Sequence, residues 1–221
     1  RRLFTLANIL NRNLSQHLHK WVQGGQYGAL FDNAEDNLTF ARFQTFDFEG
    51  MDKYPQVLEP LLFYILHRAN ASIYSPDLAT TFKAFVMDEA WRFLRNDTIR
   101  RYITEAVKTW RKRNAAMILA TQSSDDLESS EMLSVIVESC ATKIFLANPG
   151  ADRDSYQQTF HLNETESELI ARLVPKQQIL LKRPDYSKAL NLNVDRVGYW
   201  LYTSNPYESQ RRREAFEKHG F

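Results

Sequence analysis

The sequence predicts an α/β fold, a mostly parallel sheet flanked by helices, with additional helical segments. Three observations lead there. Residues 82–87, 116–120 and 143–147 are short, nearly all apolar runs, as expected of strands inside an α/β sheet. Between the first two runs, Ile99, Tyr102, Ile103, Ala106, Val107 and Trp110 recur at helical spacing, and strands alternating with helices favour parallel pairing. Each run ends in polar residues: Asp88-Glu89, then Thr121-Gln122-Ser123, then Asn148. In such sheets, chemistry sits at the carboxyl ends of strands.

The elements follow in order. Leu6, Leu10, Leu14, Leu18 and Trp21 form one face of an amphipathic helix, which Gly24-Gly25 ends. Phe46 and Phe48 flank Asp47 in alternation, the pattern of a short strand. Pro55 opens a second helix through Val57, Leu58, Leu61, Leu62, Ile65, Leu66 and Ala69; Pro60 either kinks it or starts it. Pro76-Asp77 marks a loop, and the run at 82–87 reads as a buried central strand. Asn96 or Asp97 caps the next helix.

After the second strand, 124–130 is a polar loop, and Met132, Leu133, Ile136 and Val137 suggest a short helix. The third strand closes at Asn148-Pro149-Gly150, and two small helices follow. Asn163 with Glu166 gives the second a capping pattern ahead of Leu169, Ile170 and Leu173. Residues 178–182 and 189–194 read as strands joined around Pro184-Asp185, and 199–202 as one more. Asn205 and Pro206 open the last helix. The expected organisation is a helical segment over 1–37, a core over 38–204 and a C-terminal helix over 205–221.

Composition narrows the function. The chain is 43% apolar and 25% charged, ordinary for a soluble globular protein and unlike a disordered one. A net charge of +1 gives no support to a dedicated nucleic-acid binder. The single cysteine, Cys140, excludes an internal disulfide; it reads as a small core residue and fits a reducing compartment. No apolar run reaches the roughly 18 residues of a membrane span, and no signal-peptide pattern opens the chain. A start at Arg1-Arg2-Leu3, without methionine, suggests a piece of something larger. The histidines show no ligand spacing, so no metal is expected beyond Mg²⁺ carried in with a nucleotide.

The strongest chemical motif is Phe85-Val86-Met87-Asp88-Glu89-Ala90-Trp91, an apolar strand ending in Asp-Glu, the Walker B pattern. Asp88 would hold Mg²⁺ through water, and Glu89 would polarise the water that attacks a γ-phosphate. Alternatively, both acids simply favour the start of the next helix. Thr121 and Gln122 end the neighbouring strand, where a polar side chain can sense a γ-phosphate or bond to loop backbone. Arg111-Lys112-Arg113-Asn114 ends the intervening helix. It is either an arginine finger or a basic helix terminus, and spacing alone does not rank Arg111 against Arg113. Arg211-Arg212-Arg213 reads as a solvated face, with DNA, acidic lipid or a partner subunit as the other options. None of the seven glycines is followed by lysine, so the phosphate-binding loop G-x-x-x-x-G-K-[ST] is absent. It is expected upstream of Arg1.

With these residues in view, the chain resembles the TrbE and CagE class of conjugation and type IV secretion ATPases, the fourth component of the VirB system. The resemblance covers nearly the whole chain. It rests on Trp21-Val22-Gln23-Gly24-Gly25 with Gly28 and Phe31-Asp32, then Asp88-Glu89-Ala90-Trp91, Arg111-Lys112-Arg113-Asn114, Ala120-Thr121-Gln122-Ser123 and Thr142 through Asn148, with Tyr156, Phe160 and Leu162. The resemblance implies a RecA-like P-loop NTPase core, here incomplete, that binds ATP with Mg²⁺. It implies a bacterial cytoplasmic ATPase on the inner-membrane face, acting as a hexamer or smaller oligomer with other secretion components. It also makes Arg111 the trans-acting arginine, with Arg113 a further candidate for nucleotide contact. Two alternatives remain: a non-catalytic docking module, and a coupling-protein-like DNA translocase.

Overall fold

A computed structural model of the chain describes residues 12–35, 38, 41–94, 96–122, 136–150 and 152–220. Contacts divide it into two units, Arg1–Ser72 and Ile73–Phe221. That boundary falls late in a long helix. Leu6 and Leu10, Ser123, the 124–130 loop, Met132 and Leu133 lie outside the described residues.

In the first unit, helix α1 (Arg12–Leu18) passes into a 3₁₀ turn, His19–Trp21, followed by the short helix α2 (Gly28–Phe31). Trp21 packs against Tyr27 and Phe31, with ring centroids 5.0 and 5.1 Å away. The turn closes tightly. A Cβ at Gly28 would stand 2.2 Å from the Val22 carbonyl oxygen, so only glycine fits there. Buried Asp32 accepts a 2.9 Å hydrogen bond from the Gln23 N–H. Residues 46–48 do not form the expected strand. Asp47 Oδ1 accepts from the Glu49 N–H at 2.9 Å, a local turn that competes with strand pairing.

Helix α3 runs from Pro55 to Tyr74 with Pro60 inside it, so Pro60 is not its start. Val57, Leu62, Ile65, Leu66 and Ile73 are its buried residues.

The second unit takes in the end of α3 and builds a β–α–β segment. Strand β1 (Lys83–Met87) leads through α4 (Trp91–Leu94), α5 (Asp97–Thr109) and a 3₁₀ turn (Trp110–Arg113) to β2 (Ala115–Leu119). Asn96 caps α5, accepting from the Thr98 and Ile99 N–H groups. Ile73, Ala106, Trp110 and Ala115 form a core packed by Phe85, Tyr102 and Met117. β1 is not the doubly covered central strand expected. Among the described residues it pairs with β2 alone, and Val86 is 62% exposed while Met87 is buried. A two-stranded sheet has no interior strand, so its side chains alternate between covered and open faces.

Beyond a helical turn at 136–139, β3 (Lys143–Leu146) joins β4 (Gln178–Lys182) and β5 (Ser187–Asn191) in an antiparallel sheet of order β3-β4-β5. The α/β class stands, and parallel pairing holds for β1 with β2; the other three strands run antiparallel. Helices α6 (Arg153–Phe160) and α7 (Glu164–Arg172) pack here, around Phe145, Leu162, Ile170, Leu173 and Leu180. Residues 196–202 form a helix, α8 (Arg196–Tyr202), and not the strand expected at 199–202. The Asp195 carboxylate caps it through the Val197 and Gly198 N–H groups, both at 2.9 Å, and this local cap overrides the strand preference of the aromatics. α9 (Pro206–His219) follows its Asn205 cap. Arg212 bonds the Trp200 and Thr203 carbonyls at 3.1 and 3.2 Å, closing the end of α8. No helix among the described residues is long and apolar enough to cross a membrane.

Glu166 ties α7 to the β4–β5 hairpin. It completes the capping box with Asn163 and accepts from Lys182 Nζ at 2.7 and 2.8 Å, and from the Ser187 hydroxyl. Burial raises its carboxyl, but Lys182, Ser187 and the Asn163 N–H outweigh that and hold it below the usual range. A lowered folded pKa stabilises the fold above the unfolded value near ~4.3 and loses that contribution as pH falls through the folded value. In urea unfolding of this chain, Glu166→Gln should cost about 2 kcal/mol at pH 7 and flatten the acid-side loss of stability.

Candidate active site

β1 and β2 pair in parallel from Lys83↔Ala115 to Met87↔Leu119. Both strands therefore end at the same edge, and the polar residues after them become neighbours. The ladder continues one step with an irregularity. The Ala120 N–H donates to the Met87 carbonyl at 2.9 Å, and the Ala120 carbonyl accepts from the Ala90 N–H at 3.0 Å. A regular parallel ladder would use the Glu89 N–H at that point. The extra residue makes a bulge at Asp88-Glu89.

Glu89 has a φ of 49°, in the left-handed region, which costs a non-glycine residue about 1–2 kcal/mol. Its N–H turns to Asp88 Oδ1 at 3.0 Å. Its side chain meets the neighbouring strand end, where Gln122 Nε2 donates to Glu89 Oε1. Glu89 is half-buried, whereas Asp88, Thr121 and Gln122 are exposed. Two acids and an amide thus share one open edge. Sparsely populated backbone geometry at such an edge is typical of sites where a side chain must be aimed.

Arg111 and Arg113 lie elsewhere, at the opposite end of β2. Five strand residues separate them from Gln122's edge, roughly 16 Å at the usual rise, farther than an arginine side chain extends. Trp110 anchors their 3₁₀ turn. It is 1% exposed and meets Phe85 edge-on at 5.7 Å. Arg113 lies 4.8 Å from the centre of the Tyr74 ring. Asn114 takes a left-handed conformation, donates to the Thr80 carbonyl at 3.1 Å and accepts from the Lys83 N–H at 3.0 Å. Arg111 and Lys112 are exposed and make no side-chain hydrogen bond or ion pair among the described residues.

The remaining polar strand end has another role. Asn148 Nδ2 donates to the Tyr156 hydroxyl at 3.2 Å, tying the end of β3 to α6. Tyr74, absent from the site drawn from sequence, sits beside Tyr102, whose phenol is pushed up to about 12 by burial, then by Tyr74 and Glu105. The sequence marks Tyr74 only as an aromatic at the end of a helix. The described residues contain no cluster of three His, Cys, Asp or Glu groups. At the shared edge, exposed Asp88 offers a single carboxylate, the kind of donor that elsewhere holds Mg²⁺ together with waters and substrate phosphates.

The profile of the TraG P-loop domain matches residues 4–219. The chain belongs to the TraG P-loop domain family. It is similar to conjugal transfer protein TrbE of Rhizobium radiobacter, 31% identical over 222 residues, covering 97% of this chain and 26% of that protein. It is 34% identical over 198 residues to a probable TrbE conjugal transfer protein of Sinorhizobium fredii, covering 87% and 29%. With type IV secretion system protein virB4 of Bartonella quintana it shares 30% over 190 residues, covering 85% and 24%. The chain therefore spans about a quarter of the length of these curated relatives. The solved structure of VirB4 of Thermoanaerobacter pseudethanolicus shares the fold, with a TM-score of 0.63 at 17% identity over 93% of this chain and 53% of that one. These relatives agree with the TrbE resemblance drawn from the motifs.

The left-handed backbone at Glu89 gives this TraG P-loop domain a stability test. Glu89→Gly should be more stable than Glu89→Ala by about 1 kcal/mol, measured by thermal or urea unfolding, because only glycine relieves the backbone.

Proposed function

We propose that this chain supplies the Walker B and sensor edge of an ATPase that energises type IV secretion or conjugative transfer. The observation that carries the reading is the Glu89–Gln122 hydrogen bond at the bulged end of β1. It unites, at one edge, an acid suited to accept a proton and an amide suited to meet a phosphate. Membership of the TraG P-loop domain family and the names of its relatives support the same reading.

In the reaction proposed, water attacks the γ-phosphorus of ATP and its proton passes to the Glu89 carboxylate. The bond from phosphorus to the β-phosphate oxygen breaks, and ADP leaves. The Gln122 amide donates to a γ-phosphate oxygen and helps orient the water, and Thr121 lies beside it. Asp88 would hold Mg²⁺ through water, and the bound ion would neutralise charge on the β- and γ-phosphates. Glycine-rich loop chemistry is not among this chain's motifs, so ATP binding belongs to the full-length protein.

Arg111 is the residue we assign to a neighbouring subunit's nucleotide. It cannot reach its own Gln122 edge, and its guanidinium suits phosphate oxygens. This requires an oligomer, and a hexamer fits the type. Arg113, engaged with Tyr74, is less suited to nucleotide contact. The same reading places the protein in the bacterial cytoplasm, peripherally on the inner-membrane face, among other secretion components, with DNA contact a secondary feature.

In the full-length protein, Glu89→Gln should lower ATP turnover at least about 100-fold while nucleotide binding persists in equilibrium binding assays. Unchanged turnover would remove Glu89 from this role. Arg111→Ala should also abolish most turnover, by about 1,000-fold or more. Mixing Arg111→Ala with Glu89→Gln subunits should recover activity, because mixed interfaces pair an intact acid with an intact arginine; no recovery at any ratio would count against action across an interface.

A further inference from the structure

The four residues Arg111 to Asn114 form one motif, yet the structure gives them different partners. A 3₁₀ turn has three residues per turn, so positions three apart lie on the same side. Trp110 and Arg113 are such a pair. Trp110 is buried in the core of Ile73, Ala106 and Ala115, and Arg113 follows it onto that side, over the Tyr74 ring at 4.8 Å. Arg111 and Lys112 take the other two directions and are exposed. Past them, Asn114 fixes the chain with its left-handed backbone and its bond to the Thr80 carbonyl. The turn is therefore held on both sides of Arg111.

We propose that Tyr74 is a positioning residue for Arg111, acting through the stacked Arg113 guanidinium. This rests on the reading of Arg111 as the arginine offered to a neighbouring subunit. A planar guanidinium over an aromatic face resists sliding and rotation. Fixing Arg113 steadies the turn from which Arg111 projects, two residues earlier, before any nucleotide arrives. Preorganised charge is the kind that lowers a barrier, because little reorientation remains at the moment of reaction. Tyr74 itself touches no substrate. It is 39% exposed, so its contact with Arg113 is partly open to solvent.

The test is steady-state ATP turnover of the full-length protein. Tyr74→Leu keeps an apolar side chain and removes the π face. It should lower kcat about two- to fivefold, as expected from losing an exposed cation–π contact, with KM for ATP unchanged. Tyr74→Phe should restore kcat. Arg113→Met should match Tyr74→Leu, and the two combined should be no worse than either. In an Arg111→Ala background, Tyr74→Leu should have no further effect. The proposal is overturned if Tyr74→Leu leaves kcat unchanged, if Tyr74→Phe fails to restore it, or if the same loss persists without Arg111. If Arg111→Ala lowers turnover while Tyr74→Leu does not, only the positioning role fails. Full turnover by Arg111→Ala would remove the arginine reading itself.

Discussion

The parallel pairing of β1 with β2 is the constraint on which the site depends. Register fixes which residues share an edge: because Met87 faces Leu119, the segments leaving the two strands are held side by side. Glu89 and Gln122 stand 33 residues apart in the chain, and only the ladder brings them together. Its continuation through Ala120 to both Met87 and Ala90 then forces out one extra residue, and that bulge aims Glu89 at its neighbour.

The two ends of β2 do different work. At its carboxyl end, the chain accepts strained backbone and exposes Asp88 beside the half-buried Glu89. At its amino end, the chain is pinned. Trp110 fills the core, Asn114 bonds the Thr80 carbonyl, and Arg113 lies on Tyr74. One element thus carries polar groups at both of its ends. The Trp110 core beneath β1 and β2 is what keeps the two ends in fixed relation, since close-packed interiors transmit rather than absorb displacement.

Much of this is legible in the sequence because the signals are local. An apolar run ending in Asp88-Glu89 marks a strand and its tip, Asn96 marks a helix start, and Asn163 with Glu166 marks a capping box; each needs only a few adjacent residues. The hidden features depend on distant partners. The bulge at Glu89 arises only when β2 is laid beside β1. The antiparallel joining of β3 to β4 depends on a segment more than thirty residues on. Val86 reads as a buried residue until its side of the sheet is known to be open. The aromatics at 199–202 resemble a strand, yet the Asp195 cap makes them a helix. Tyr74 gives no chemical signal because its contact with Arg113 joins positions far apart in the chain.

A structure of the full-length protein with Mg²⁺ and a non-hydrolysable ATP analogue tests the central claim most directly. The account predicts the γ-phosphate at the carboxyl edge of β1 and β2, with the Gln122 amide in hydrogen-bond reach and Asp88 contacting an ion-bound water. A triphosphate bound away from that edge, with Asp88 and Gln122 out of reach, would contradict it.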